Sequence, residues 1–431
     1  MAERTPTCLL AGAVALFAVA VSATRPGAQS LGPAPLPDHP RIQYSTRPAT
    51  DLVVGLDRAL AAGERRLAFD EKTGYLPAVL DALDVAPESQ LLVFSRTGIQ
   101  RAHTSPHQPR ALYFNEAVVV GYIPGAPSLE VAAQDRQQGV AFYTLDQTPA
   151  GTPHFTRQTV CLTCHVSPGT LDVPGIIDRS QLVDGDGNAL AQEPVTTVDH
   201  TTPHTQRWGG WFVTSPGSPP PYQPLGHLGN LTAAPHPTLG PPIVSDRALI
   251  AWLDSDPTAR GYLSAASDHA ALQVFDHQAH AMNLLTRLGW DARAATDTAG
   301  RLAIDGALRE RIDELVDYVV FTDEAPPVVD VTPRPGFAER LAARIPADRQ
   351  GRSLADLDLT RRLLRYSCSY MLYAEAFDGL PAPVKDAVYR RLFAVLDGGA
   401  GPRYAHLTPA VQTIVREILR DTKTDLPRDL R

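Results

Sequence analysis

Between residues 91 and 145 the apolar positions fall into short runs bounded by turn residues, a spacing that is typical of β-strands. The five runs are Leu91–Phe94, Ala111–Phe114, Ala117–Ile123, Leu129–Ala133 and Val140–Leu145. Asn115-Glu116 and Pro124-Gly125 supply turns, so we expect the strands to pair in an antiparallel sheet. Two short helices are predicted before the sheet, one capped by Asp51 and one around Leu76–Leu83.

The period becomes helical from Ser245 onward. The predicted helices are Asp246–Leu253, Asp268–Leu288, Gly306–Phe321, Phe337–Arg344, Ser353–Phe377, Val384–Leu396 and Pro409–Arg420. Between the two patterns, Ser167–Pro242 is rich in Pro and Gly and is expected to be mostly loop. The pattern therefore predicts an α+β fold in three parts: an α+β domain over 51–160, a loop-rich region over 161–244 and a helical domain over 245–431.

The N-terminus has the features of a secretory leader. An apolar run from Cys8 to Val21 follows Arg4, and Val21-Ser22-Ala23 is a small-residue cleavage pattern. The run is too short for a comfortable transmembrane helix. We expect a signal peptide over 1–23, a Pro-rich flexible tether over 24–50, and a periplasmic or otherwise exported protein with no membrane span beyond the leader. Retention of the leader as an anchor is the alternative.

The pentad Cys161-Leu162-Thr163-Cys164-His165 has the Cys-x-x-Cys-His spacing of covalent c-type haem attachment. One helical turn would bring Cys161, Cys164 and His165 to a common face, where the thiols bind the porphyrin and His165 ligates its iron. A zinc site needs a second ligand pair, a thioredoxin-like site needs a βαβ frame, and a disulfide leaves His165 unexplained. One covalent haem c is therefore the predicted cofactor.

Charge and length limit the remaining possibilities. The net charge of −8 over 431 residues gives a mildly acidic chain, which argues against a nucleic-acid partner. The pentad comes late, and Pro168-Gly169 ends its helix almost at once, so a small class-I cytochrome c fold is a poor template. Cys368 is expected to be an inert, buried thiol.

The sixth iron ligand has two candidates on the helix predicted from Asp268. We hypothesise that His277 is this ligand or a residue of the distal pocket, because a His inside a buried helix needs a partner. The alternative is a core histidine hydrogen-bonded to protein groups. Met282 is the weaker candidate, since it clusters with apolar residues of the same helix, and Met371 is weaker still.

Loop residues offer a second set of candidates. His200 and His227, with Arg207, would supply the acid-base group and the cation of a peroxidase-like catalytic pocket. The simpler interpretation is that Arg207 pairs with a haem propionate. Asp184-Gly185-Asp186-Gly187-Asn188 has the oxygen spacing of a calcium loop, but Ala189 and Val195 stand where its Gly and Glu belong, so a turn is preferred and calcium is not expected.

Several strings in the mature chain resemble a family of exported bacterial proteins known as cytochrome c domain-containing. They are Arg207-Trp208-Gly209-Gly210-Trp211, His227-Leu228-Gly229-Asn230, Asp276-His277-Gln278, Tyr366-Ser367-Cys368-Ser369-Tyr370 and Glu375-Ala376-Phe377-Asp378. The resemblance implies haem and electron transfer. At Met282 this chain departs from the family, which has His there, so the resemblance assigns Met282 no ligand role.

These observations favour an exported monohaem c-type protein that exchanges electrons with a redox partner protein. The alternative is a haem enzyme, an oxidoreductase of peroxidase type with an open distal position. A haem-based sensor is the third interpretation, and no recognisable output module supports it.

Overall fold

The strand-like runs form one seven-stranded antiparallel sheet in a computed structural model that describes residues 32–149, 151–191, 193–216, 222–224, 251–327, 331–398 and 401–431. Its strands are β1 (Leu91–Val93), β2 (Arg110–Phe114), β3 (Val118–Tyr122), β4 (Ser128–Asp135), β5 (Gly139–Asp146), β6 (Phe155–Arg157) and β9 (Trp211–Phe212). The order is β6-β5-β4-β3-β2-β1-β9. Neighbours along the chain pair directly, except that the late strand β9 adds to the edge beside β1.

Both faces of the sheet are covered by helices. One face presents residues such as Leu92, Tyr113 and Val131, which pack with α1 (Leu52–Ala61) and α2 (Leu76–Ala82). The other face presents Leu91, Phe114, Phe142 and their neighbours, which pack with the C-terminal helices. Successive side chains of a strand point to opposite faces, which explains why its apolar runs are nearly continuous.

The long helix α4 (His269–Ala295) lies at the centre of this second core. Asp268 caps it by accepting the amide of Ala271 at 2.9 Å. Most of its circumference is buried, as expected for a helix surrounded by protein. The other C-terminal helices are α5 (Gly306–Val319), α6 (Phe337–Arg344), α7 (Glu375–Asp378), α8 (Ala382–Leu396) and α9 (Pro409–Thr422). The predicted helix Asp246–Leu253 falls partly outside the described residues. The part that the structure describes begins at residue 251, and residues 251–254 are helical.

The loop-rich region contains α3 (Leu162–His165), the two-stranded ribbon of β7 (Arg179–Gln181) with β8 (Val195–Thr197), and a second ribbon of β10 (Thr214–Pro216) with β11 (Tyr222–Pro224). The sheet and the C-terminal helices share one apolar core, and residues 33–431 form one compact unit. The predicted parts 51–160 and 245–431 are therefore packed together through that core.

The prediction of one long helix over Ser353–Phe377 is wrong. Backbone bonds between Asp358 and Leu363 close a tight hairpin there, with Leu359 in the left-handed region at φ 60°. The Asp358 carboxylate accepts the amides of Thr360 and Arg361, so a polar side chain competes with the helical pattern. Regular structure resumes only near residue 370, with a short 3₁₀ turn and then α7.

The predicted tether over 24–50 is corrected for residues 33–50. Ile42 and Tyr44 are each only 2 % exposed and form a small apolar cluster with Val173 and Trp290. The Tyr44 hydroxyl also donates to the Val140 carbonyl at 2.8 Å. Two large apolar side chains are enough to dock a Pro-rich segment. The predicted leader, 1–23, lies outside the described residues.

The predicted fold class is confirmed: an antiparallel sheet with short helices, followed by a mainly helical C-terminal part. This α+β architecture is different from a small class-I cytochrome c fold. None of the described helices has both the length and the apolarity that a membrane span requires.

Candidate functional site

The Cys-x-x-Cys-His pentad forms a single helical turn. The backbone amides of Cys164 and His165 both donate to the Cys161 carbonyl, at 3.2 and 3.0 Å. This turn gathers the three predicted side chains at one end of the loop region. Cys161 is half-buried and Cys164 exposed, and both are free thiols. Two free thiols and an imidazole on one turn make up the donor set that covalent haem attachment requires.

The His165 ring is held in one orientation. Its Nδ1 donates to the Gly175 carbonyl at 2.8 Å, and the ring packs on Phe142 with centroids 4.6 Å apart. Because Nδ1 carries the proton, Nε2 keeps the lone pair that a metal ligand needs. Burial lowers the pKa of His165, opposed by the bond to Gly175, so the ring is neutral at neutral pH. The side chain is therefore prepared to act as an axial ligand.

The carbonyl that orients His165 belongs to a segment clamped on both sides. Pro174 accepts the Val140 amide from β5 at 2.9 Å. The Asn283 side chain of α4 accepts the Ile176 amide at 3.0 Å and donates to the Ile176 carbonyl at 2.8 Å. A Cβ on Gly175 would lie 2.1 Å from Asn283 Oδ1, so this close approach requires glycine. The His165 ring is thus positioned through the sheet and the central helix together.

The Cys161 thiol has the wrong ionisation for the attacking thiol of a redox-active dithiol. Burial raises the pKa of Cys161 to about 11, whereas disulfide oxidoreductases lower the pKa of their attacking thiol. Burial also raises the pKa of Cys368 to about 12, in keeping with its predicted inert role. A thioether does not ionise, so a raised thiol pKa does not conflict with haem attachment.

Three of the sequence-predicted candidates meet in a buried polar cluster, here called the His200–His277 cluster, formed by His200, Arg207, Asp276, His277 and Ser369. The two histidines face each other through their Nδ1 atoms at 2.8 Å. Nε2 of His277 lies 2.7 Å from Ser369 Oγ. His277 and Arg207 are 0 and 2 % exposed. The structure therefore brings these residues together, but as a closed set of bonds inside the protein.

Both ring nitrogens of His277 are already used by this cluster. An iron ligand must offer one of them, so ligation would break either the bond to His200 or the bond to Ser369. Burial also lowers the pKa of His277 well below its usual value. This geometry favours the alternative of a core histidine over the hypothesised sixth ligand.

The guanidinium of Arg207 is likewise fully engaged. It donates to the Thr202 carbonyl at 2.7 Å, to the His200 carbonyl at 2.9 Å and to Asp276 Oδ2 at 2.9 Å. Asp276 also accepts Trp208 Nε1 at 3.0 Å. These bonds oppose both predicted roles of Arg207, pairing with a propionate and acting as a catalytic cation, because Asp276 already neutralises its charge.

Asp178 completes the set of charges around this ion pair. It is buried, and burial raises its pKa well above the usual range, with the charge of Asp276 adding to the rise. A carboxyl group in such surroundings gives up its proton only at a higher pH than an exposed carboxyl group. The neutral form of Asp178 is therefore favoured beside the ion pair of Asp276 with Arg207.

The remaining candidates have structural surroundings or lie outside the description. Met282 and Met371 are each 1 % exposed within the second core, and His227 is outside the described residues. Asp184 accepts the amides of Asp186 and Asn188 at 3.0 and 2.8 Å, so it closes a turn. Over the described part of the chain, no three His, Cys, Asp or Glu side chains group as a metal site.

Sequence reasoning missed Gly175, Asn283, Asp178 and Ser369. Asn283 and Asp276 carried a signal, because polar residues inside a buried helix must find partners. Their partners lie 107 and 69 positions away, at separations that a periodic pattern does not encode. No family model matches the chain, and neither a curated protein nor a solved structure matches it.

Proposed function

We propose that this chain is an exported monohaem c-type protein that exchanges single electrons with a partner protein. Cys161 and Cys164 would hold haem c through thioethers, and His165 would ligate its iron. The observation that carries the proposal is the 2.8 Å bond from His165 Nδ1 to the Gly175 carbonyl. That bond leaves the Nε2 lone pair for a metal ion, which a disulfide would not require, and the Cys-x-x-Cys spacing before His165 makes haem iron the metal that we propose.

Haem, when bound, supplies one-electron redox chemistry. The chain's own residues tune it. The Gly175 carbonyl makes the His165 ring a stronger electron donor, which favours the oxidised state. The clamp formed by Val140 and Asn283 keeps the ring orientation fixed, so little rearrangement accompanies a change of charge. The exposed Cys164 would bring one edge of the group to the surface, where a partner can approach.

Electron transfer is favoured over peroxidase chemistry by the state of the candidate catalytic residues. A peroxidase pocket needs an acid-base group and a cation that are free to bind peroxide. The Arg207 guanidinium already donates hydrogen bonds to Asp276 and to two backbone carbonyls. Both ring nitrogens of His277 are already hydrogen-bonded, one to His200 and one to Ser369. These bonds oppose a distal role for either residue.

The test is production of the full chain with a c-type haem maturation system. Haem staining after denaturing electrophoresis and a pyridine haemochrome spectrum would report covalent attachment. We expect one covalent haem per chain, lost in the double variant Cys161→Ala/Cys164→Ala and retained in the control Cys368→Ala. Absence of covalent haem from the unaltered chain, or its persistence in the double variant, would refute the proposal.

A second measurement separates carrier from enzyme. We expect the loaded protein to show a stable, reversible redox couple and little turnover of peroxide. Rapid peroxide turnover that falls on replacing His200 would favour the enzyme instead.

A further inference from the structure

Arg179 lies four residues after Gly175, whose carbonyl orients the His165 ring. Its side chain is half-buried and makes neither a hydrogen bond nor an ion pair with the residues that the structure describes. Its positive charge also helps to lower the pKa of the His165 ring. A half-buried guanidinium without an anion is unusual, because a charge removed from water normally finds a partner.

The other arginines relevant to this site are already neutralised. Arg110 also acts on the His165 ring, but it forms an ion pair with Glu130 at 3.1 Å. Arg207, the residue expected from sequence to meet a propionate, is paired with Asp276. Among the described arginines that act on His165, Arg179 is thus the one with a free charge.

The backbone that carries Arg179 is rigidly placed and continuous with the His165 support. Ile176, next to the Gly175 carbonyl, is bound on both its polar groups by Asn283. The Asp178 backbone carbonyl accepts the Val198 amide at 3.0 Å, and the Arg179 carbonyl accepts Trp211 Nε1 at 2.9 Å. One short segment therefore holds both the acceptor that orients His165 and the unpaired cation, so the two are fixed relative to each other.

We infer that Arg179 binds a propionate of the haem attached at Cys161–His165. The inference rests on the proposed function. Haem carries two carboxylates, and a planar guanidinium binds a carboxylate through two parallel hydrogen bonds. The chain has a net charge of −8, so a local cation is needed to offset the added negative charge. Arg179 thereby takes the role that the sequence suggested for Arg207.

The test compares Arg179→Gln with Arg179→Lys and with a control of equal charge change. The control is Arg66→Gln, since Arg66 lies beside Leu67, which packs against the opposite face of the sheet. The readouts are the reduction potential as a function of pH and the visible spectrum of the loaded protein. Removing a cation next to the haem favours the ferric state, so Arg179→Gln should lower the potential. It should also move the propionate-linked pH dependence upward, because the carboxylate loses the charge that lowers its pKa.

We expect Arg179→Lys to fall between the unaltered protein and Arg179→Gln, because it keeps the charge but loses the fork geometry. The inference would also be supported if Arg179→Lys binds haem and Arg179→Gln does not. It is overturned if Arg179→Gln matches Arg66→Gln in potential and pH profile, or if both variants at position 179 fold but fail to load. Failure of the unaltered chain to bind haem refutes the proposed function itself, and the inference with it, whereas normal loading with an unchanged Arg179→Gln refutes the inference alone.

Discussion

Arg207 and Asp276 form an ion pair that is sealed from water: Nη1 lies 2.9 Å from Oδ2, and the side chains are 2 and 0 % exposed. Arg301 and Asp297 form a pair of nearly the same length, 2.8 Å, with side chains 82 and 41 % exposed. Coulomb attraction is screened at the surface, and an unpaired charge there is simply hydrated. The two pairs therefore differ in what happens when one partner is removed.

Replacing Asp276 with Asn should cost about 3–5 kcal/mol of unfolding free energy, because the guanidinium of Arg207 stays buried without its counter-charge. The matched surface change, Arg301→Gln, should cost less than about 1 kcal/mol. Urea unfolding followed by circular dichroism measures both. Equal and small losses of unfolding free energy in the two variants would show that burial does not make Arg207 dependent on its counter-charge from Asp276.

Asp178 should make the protein less stable as pH rises. Its folded pKa is raised above the unfolded value of about 3.9, mainly by burial and next by Asp276. The folded state therefore holds the proton more tightly, and its contribution is complete below about pH 4 and is lost as pH rises through the folded pKa. Asp268 and Glu324, with pKa values raised to about 6 and 7 by burial, add losses of the same sign.

The variant Asp178→Asn separates these contributions. Its side chain is neutral at every pH and does not titrate, so unfolding free energy should decline less between pH 4 and pH 8 than in the unaltered chain. Urea midpoints across that range provide the measurement, with Asp186→Asn, at an exposed turn position, as the control. Parallel pH profiles for Asp178→Asn and the unaltered protein would contradict a proton held at Asp178.

If the chain carries the proposed haem, His277→Ala should leave the ligation of its iron unchanged, and it should reduce stability in any case. The ring's two hydrogen bonds, to His200 and Ser369, would be lost inside the protein, at a cost of about 1–3 kcal/mol of unfolding free energy. Visible spectra of the loaded protein in both oxidation states test ligation, and thermal unfolding tests stability. His165→Ala is the positive control, for which the spectrum should change. A changed spectrum in His277→Ala would restore this residue as a sixth ligand.

Strands and helices were predicted best where buried residues recur at the regular spacing of a single strand or helix. Five of the seven sheet strands were predicted within a few residues, because each apolar run is bounded by turn residues. Phe337–Arg344 was predicted with the observed bounds. The Cys161–His165 turn was predicted from spacing alone, since three side chains within five positions need nothing from the rest of the fold.

The errors share a physical cause. Apolar residues recur at helical spacing over Ser353–Phe377. The Asp358 carboxylate nevertheless closes a turn there by accepting two backbone amides, and the spacing of apolar residues does not reveal that turn. The segment containing Ile42 looks like a tether by composition, yet it packs on Trp290, almost 250 positions later. For Arg207, the sequence suggested a propionate or a catalytic role, whereas its observed partner, Asp276, lies 69 positions away. Partners that are distant in sequence become visible only once the sheet and the central helix are packed.

Asn283 should control the His165 site from the central helix. Asn283→Ala removes both bonds to Ile176, at 3.0 and 2.8 Å, and leaves a buried amide and a buried carbonyl without partners. Each unsatisfied group costs about 1–3 kcal/mol, so a loss of at least about 2 kcal/mol is expected by urea unfolding. The Gly175 carbonyl and the Ile176 amide belong to one peptide group, so loosening that group should weaken the bond of the carbonyl to His165 and raise the reduction potential of the haem-loaded protein. Asn283→Asp keeps the acceptor for the Ile176 amide and should recover part of both effects, whereas Asn188→Ala, in an exposed turn, should alter neither. An Asn283→Ala protein that is destabilised but keeps its potential would show that Asn283 supports the fold without positioning His165.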